Sequence, residues 1–136
     1  MIVAVAIVHF SLAAVSGVRA VTQVYRASLT TGDHVLHPGS RLAAHIVTAG
    51  RTHVDVTVEL LQGTRRAVLG TMTVPSNDSF FYDFRPKRAR LDLTVASAAL
   101  DGFEPGQAFV RVVALGRPQW LYLPPPKTDR VAVTIQ

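Results

Sequence analysis

From His53 to Leu61 the chain alternates apolar and polar residues. Val54, Val56, Val58 and Leu60 fall on one face of an extended strand, and Asp55, Thr57 and Glu59 on the other. The same period of two runs through Tyr25/Ala27/Leu29, Leu42/Ala44/Ile46, Val68/Met72/Val74, Phe80/Tyr82/Phe84, Leu91/Leu93/Val95 and Val131/Val133/Ile135. Ala108 to Leu115 adds a nearly continuous apolar run of strand length, for about seven to eight strands in all. Turn residues punctuate them: Thr31-Gly32-Asp33, His37-Pro38-Gly39, Ala49-Gly50, Gln62-Gly63, Pro75-Ser76-Asn77, Arg85-Pro86, Glu104-Pro105-Gly106 and Gly116-Arg117-Pro118. After residue 29 no segment carries the three-four spacing of an amphipathic helix. The pattern predicts an all-β domain of antiparallel strands folded into two packed sheets.

One stretch gives that architecture a more definite form. Leu100 to Ala114, LDGFEPGQAFVRVVA, resembles the corner and following strand of fibronectin type III domains, where an L-x-P-G turn leads into an aromatic and a V-R-V-x-A strand. The resemblance implies an Ig-like or fibronectin III-like sandwich over residues 21–136. Phe109 stands where that family places a corner tyrosine and has no hydroxyl to bond the backbone. The Val110-Arg111-Val112 triplet sits one residue closer to the aromatic than in the family, and Trp120 falls late in the chain. A second set of residues, Pro38-Gly39-Ser40, Val56 to Gly63 and Asn77 to Pro86, is similar to the Ig-like domain of fungal cell-wall proteins of β-1,6-glucan assembly, without that pattern's tryptophans. This likeness implies a location at the cell surface.

The N-terminal run Ile2 to Val18 carries no Asp, Glu, Lys or Arg and is followed by Arg19-Ala20. As a secretory signal it would end after Ala20, although nothing basic precedes the apolar run. As a retained anchor or filament helix it would have to borrow Val21 and Val24 to approach the ~20 apolar residues that a membrane span needs. As a core element it would simply pack into the domain. The first two readings divide the chain into a signal peptide or hydrophobic anchor over 1–20 and a β-sandwich over 21–136, and both place that domain outside the cytosol.

Composition removes several chemistries. Among 136 residues there is no cysteine, so no disulfide scaffold, thiol nucleophile or zinc–thiolate site is available. The net charge of +5 comes from 14 Lys and Arg against 9 Asp and Glu. It permits attraction to phosphates, acidic glycans or an anionic surface. Aromatics are 7% of the chain and no recognition-helix pattern is present, which argues against nucleic acid.

The sequence contains no nucleophile elbow, carboxylate pair, P-loop or dinucleotide fingerprint, so no catalytic residue and no cofactor is expected. His34 and His37 could begin a metal site only with a third ligand such as His45, His53 or Asp33, and they are read as solvated loop residues. Two features carry the expected binding function, and a third bears on the extracellular location. Trp120 and Tyr122, beside Pro124-Pro125-Pro126, offer large amphipathic contacts. Arg85, Lys87, Arg88 and Arg90 form the densest basic cluster, read as a charged connection between strands. Asn77-Asp78-Ser79 is a glycosylation sequon. The function expected is that of a secreted or cell-surface, non-catalytic binding or structural module. Its partner would be a glycan, a surface protein or a second copy, and it would meet a membrane only if residues 2–18 are retained.

Overall fold

The computed structural model of the chain describes residues 24–32, 34–48, 53–75, 87–117 and 125–136. Eight strands run through them: β1 (Val24–Thr31), β2 (Val35–Leu36), β3 (Arg41–Thr48), β4 (Val54–Gln62), β5 (Arg65–Val74), β6 (Lys87–Thr94), β7 (Gly106–Gly116) and β8 (Lys127–Ile135). They occupy 72% of the described residues, which hold no α-helix, only a 3-10 turn at Ser97–Leu100. One sheet has the order β1-β3-β6 and the other β2-β8-β7-β4-β5. All pairings are antiparallel except that of the two-residue β2 with β8. The all-β, two-sheet expectation therefore holds, but the larger sheet is a curled half-barrel and not a flat layer. The expected strand around Phe80, Tyr82 and Phe84 and the N-terminal apolar run lie outside the described residues.

The core sits where the alternation places it. Val54, Val56, Val58 and Leu60 of β4 face inward beside Ala108, Val110, Val112 and Ala114 of β7, and all eight are at most 2% exposed. Leu29, Leu42, Ala44 and Ile46 of the smaller sheet complete the same cluster. Each fully buried Val or Leu contributes roughly 1.5–3 kcal/mol, so these paired strands are the main source of stability.

The strand β5 departs from simple alternation for a local reason. Its register with β4 shifts between Val58 and Glu59: Val58 pairs with Gly70 and Glu59 with Val68. Leu69 is the extra residue of a bulge and packs against the core. Val68 is consequently turned outward, 51% exposed, while Met72 and Val74 stay inward. The three share one face by counting but not in the fold. At the β4–β5 hairpin Gly63 takes φ +59 at the first central position, the left-handed conformation that a type II′ turn requires there.

Side chains join the sheets at both edges. On one side the Leu29 N–H of edge strand β1 donates to Asp129 Oδ2 of β8 at 2.9 Å. The chain then leaves β1 through His34, held at φ +58, and its carbonyl accepts from the Thr134 N–H of β8 at 2.8 Å. On the other side Gly70 of β5 lies directly under Leu93 of β6.

The corner before β7 shows how the chain manages without the tyrosine hydroxyl. Phe109 points to the outer face, where the Arg130 guanidinium lies 4.3 Å from its ring centre. The Gln62 amide at the end of β4 holds the loop instead. It donates to the carbonyls of Glu104 (2.8 Å) and Gln107 (3.3 Å) and accepts from the Glu104 N–H (2.9 Å).

A Cβ at Gly70 would collide with the Cδ2 methyl of Leu93. Gly70→Ala is therefore expected to lower stability by about 1 kcal/mol through overpacking. In a Leu93→Ala background that cost should vanish, and urea unfolding of the four proteins of this cycle measures the coupling.

Candidate functional site

Period-two alternation leaves the outer face of the three-stranded sheet polar. Ser28 and Thr30 come from β1, Arg41, Ala43 and His45 from β3, and Arg88, Arg90, Asp92 and Thr94 from β6. Pairing aligns them in rows: Ser28–His45–Arg90, Thr30–Ala43–Asp92 and Arg41–Thr94. Ala43 is 5% exposed and forms the floor, because its single methyl is ringed by longer side chains. The result is a concavity of about 590 Å³ lined by Thr30, Thr31, Arg41, Ala43, Arg90, Asp92 and Thr94, with Gly32 and Leu42 at its margin.

The charges on this face are mostly uncommitted. Arg90 Nε meets Asp92 Oδ1 at 2.8 Å, both side chains well exposed, a geometry worth under about 1 kcal/mol. Arg26, Arg41 and Arg88 form no ion pair with a carboxylate of the described residues. His45 Nε2 lies 3.3 Å from the Thr30 hydroxyl. Such a surface can bind anions and hydroxyl groups.

The outer face of the larger sheet uses its charges internally. Glu59 is 3% exposed although it points outward, and Arg111 and Arg66 enclose it. Arg111 donates to Oε1 through Nε at 2.8 Å and also through its terminal nitrogen. Arg66 Nε approaches Oε2 at 2.7 Å but out of line for a hydrogen bond. Further along, Arg117 grips Asp55 through two bonds of 3.0 and 3.1 Å, and the Thr73 hydroxyl donates to the same carboxylate at 3.0 Å. Chiefly through the Arg117 hydrogen bonds, and against the smaller opposing effect of partial burial, Asp55 is held below its ordinary value of 3.8.

Of the basic residues singled out in the sequence, Arg88 and Arg90 lie together on the outer face of β6. Lys87 pairs with Thr48 and its Nζ donates to the Pro75 carbonyl at 3.1 Å, towards the end of β5. All three belong to a strand and not to a connection, because Arg88, Arg90 and Asp92 alternate with the inward Ala89, Leu91 and Leu93. Arg85, Trp120, Tyr122 and Asn77 lie outside the described residues. Nδ1 of His34 lies 3.1 Å from the Thr31 hydroxyl, and Nδ1 of His37 3.0 Å from the Pro38 carbonyl oxygen. No group of three His, Asp or Glu among the described residues could hold a metal ion. Sequence reasoning missed Arg26, Arg41 and Asp92. Their signal was present as polar positions within apolar alternation, but only strand pairing shows that they share a face.

Comparison with known proteins adds little to this geometry. No family model matches the sequence, and no curated protein matches it. Among solved structures the fold is similar to the crystal structure of Spo0M, a sporulation control protein from Bacillus subtilis, with a TM-score of 0.45 and 10% identity. The match covers 82% of this chain and 49% of that one, so the chain spans about half of that protein. At this level the likeness carries no argument about function. None of these comparisons supports the likeness to fungal glucan-assembly domains. Among the described residues no helix is long and apolar enough to cross a membrane.

Two predictions follow from the paired charges. Arg111→Ala strands a buried carboxylate with one poorly aligned partner and should cost about 3 kcal/mol. Arg66→Ala, at an exposed partner, should cost under about 1 kcal/mol, and urea unfolding of both variants measures the difference. Because folding lowers the Asp55 pKa, its contribution to stability is present above the ordinary carboxylate value and is lost as pH falls through the lowered one. Wild type should therefore exceed Asp55→Asn in unfolding midpoint near neutrality, with the gap closing in acid.

Proposed function

We propose that this chain is a non-catalytic binding module of the Ig-like sandwich class, working outside the cell or at its surface, and that its ligand lies on the outer face of β1-β3-β6. The class is supported by the strand order. In an Ig-like scheme β1, β3 and β6 correspond to strands A, B and E, and β4, β7 and β8 to C, F and G, with β5 added beside C. The observation that carries the function is the concavity floored by Ala43. Hydroxyls, the uncommitted Arg41 guanidinium and the exposed Arg90–Asp92 pair converge there on a sheet, which suits recognition more than chemistry.

The location rests on the apolar run Ile2 to Val18. The same run supports a second reading, a membrane-anchored or filament subunit that keeps this segment and presents the sandwich outward. Intact mass and the first residue of the native protein separate the two: Val21 marks the secreted module, and Met1 or Ile2 the anchored one.

Binding is tested by filling the site. Washed cells of the source organism should retain the added chain, and Ala43→Trp, which blocks the floor whatever the ligand, should cut retention by about tenfold or more under conditions where its unfolding curve shows it folded. Equal retention of the two proteins would remove this face as the binding site.

A further inference from the structure

The arrangement of charges on the outer face of β1-β3-β6 restricts what it can hold. Around Ala43 stand Arg41, Thr94, Asp92, Arg90, His45 and Thr30, in the order set by strand pairing. Arg41 and Arg90 are at opposite ends of this ring. Four residues along the strands and one strand across separate them, roughly 14 Å between backbones. That spacing lets two separate acid groups of one ligand engage the two arginines at once. Arg88 continues the line beyond Arg90, so cationic positions extend along the sheet over roughly 20 Å from Arg88 to the level of Arg41. A matching ligand carries anionic groups at intervals along an extended chain.

Between the cations the lining is made for hydroxyl groups. Thr30, Thr31 and Thr94 both donate and accept, and Asp92 accepts. Asp92, in the middle of the site, accepts hydrogen bonds from hydroxyl groups, which a chain of sugars supplies and a bare polyphosphate does not. Among the described residues no Phe, Tyr or Trp lines the concavity, so bases would find no aromatic platform of that kind there. Apart from the Ala43 floor and Leu42 at the margin, the lining side chains are polar, which gives an acyl surface nothing to enter.

We propose that the ligand of this site is an acidic polysaccharide, a chain of sugars bearing carboxylate or sulfate groups. It lies across the Ala43 floor with acid groups on Arg41 and Arg90 and sugar hydroxyls on the threonines and Asp92. This rests on the binding reading given above and names its ligand class. Arg90 reaches the ligand by exchanging Asp92 for an acid group of the chain.

The test is direct binding of the full-length protein to four probes: heparin, polygalacturonate, neutral dextran and a single-stranded oligonucleotide. Both acidic polysaccharides should bind, more weakly as salt is raised, and dextran should not. Arg41→Gln and Arg90→Gln should each weaken binding about tenfold, the loss expected for one charge-assisted contact. Asp92→Asn should strengthen it by freeing Arg90. Arg65→Gln, an equal change of net charge on the other sheet, should leave it within about twofold.

Equal losses from Arg65→Gln and Arg41→Gln would show attraction to net charge alone and overturn the site. Dextran binding as tightly as the acidic chains, with Ala43→Trp still abolishing it, would overturn the ligand class and leave the binding reading standing. The oligonucleotide binding tightest with the same arginine dependence would assign the face to nucleic acid. Failure of all four probes would overturn the ligand class, and if washed cells also retained as much Ala43→Trp protein as wild type, the binding reading would fall with it.

Discussion

Everything in this fold depends on the pairing of β4 with β7. Along their shared ladder the inward positions are Val, Leu or Ala, with Gly116 opposite Val54 at one end, and they are sealed from water by the smaller sheet. A one-residue slip would send the whole apolar set to solvent and bring Asp55, Glu59 and Arg111 into the core, so the register is fixed by desolvation. With these two strands locked, β8 and β5 pair on either side, and the polar residues of the alternation have only the outer faces left to occupy.

The two outer faces then spend their charges differently. On the larger sheet, register sets Glu59 opposite Arg111 and Asp55 opposite Thr73, with Arg117 returning from the end of β7. These cations serve the domain itself. On the smaller sheet β6 brings Arg88 and Arg90 beside a β3 whose own face carries Val47, His45 and Ala43. Among the described residues Asp92 is the one carboxylate of this face, and it pairs with Arg90, so Arg26, Arg41 and Arg88 carry no ion pair there. The asymmetry explains why a modest net charge can still produce a concentrated basic surface.

Closure of the two sheets relies on particulars that propensity does not encode. Among the described residues no strand pairs with β1 on the side of the Leu29 N–H, and Asp129 satisfies that donor from the other sheet. Gly70 lets Leu93 approach the opposite edge, and the bulge at Leu69 supplies the local twist that helps the larger sheet curl. At the corner before β7 the Gln62 amide makes three backbone contacts from a different strand. Apart from the bulge, each is a long-range contact made by one side chain, so each depends on the final geometry.

Period-two hydrophobicity, a local property of the chain, was enough to read the long strands, their inward faces and the two-sheet, all-β class from the residues alone. The β4 stripe of Val54 to Leu60 is the clearest example. Local pattern was not enough for β2, whose two residues form a strand only because β8 offers a parallel edge, nor for Val68, which a bulge turns outward. It also failed for the candidate site. Arg88 and Arg90 were visible as a basic cluster because they are neighbours in sequence, whereas Arg41 and Thr30 join them only through hydrogen-bonded pairing. Alternation decides whether a side chain points in or out; strand order and register decide which outward side chains meet, because that choice is made by contacts between residues far apart in the chain.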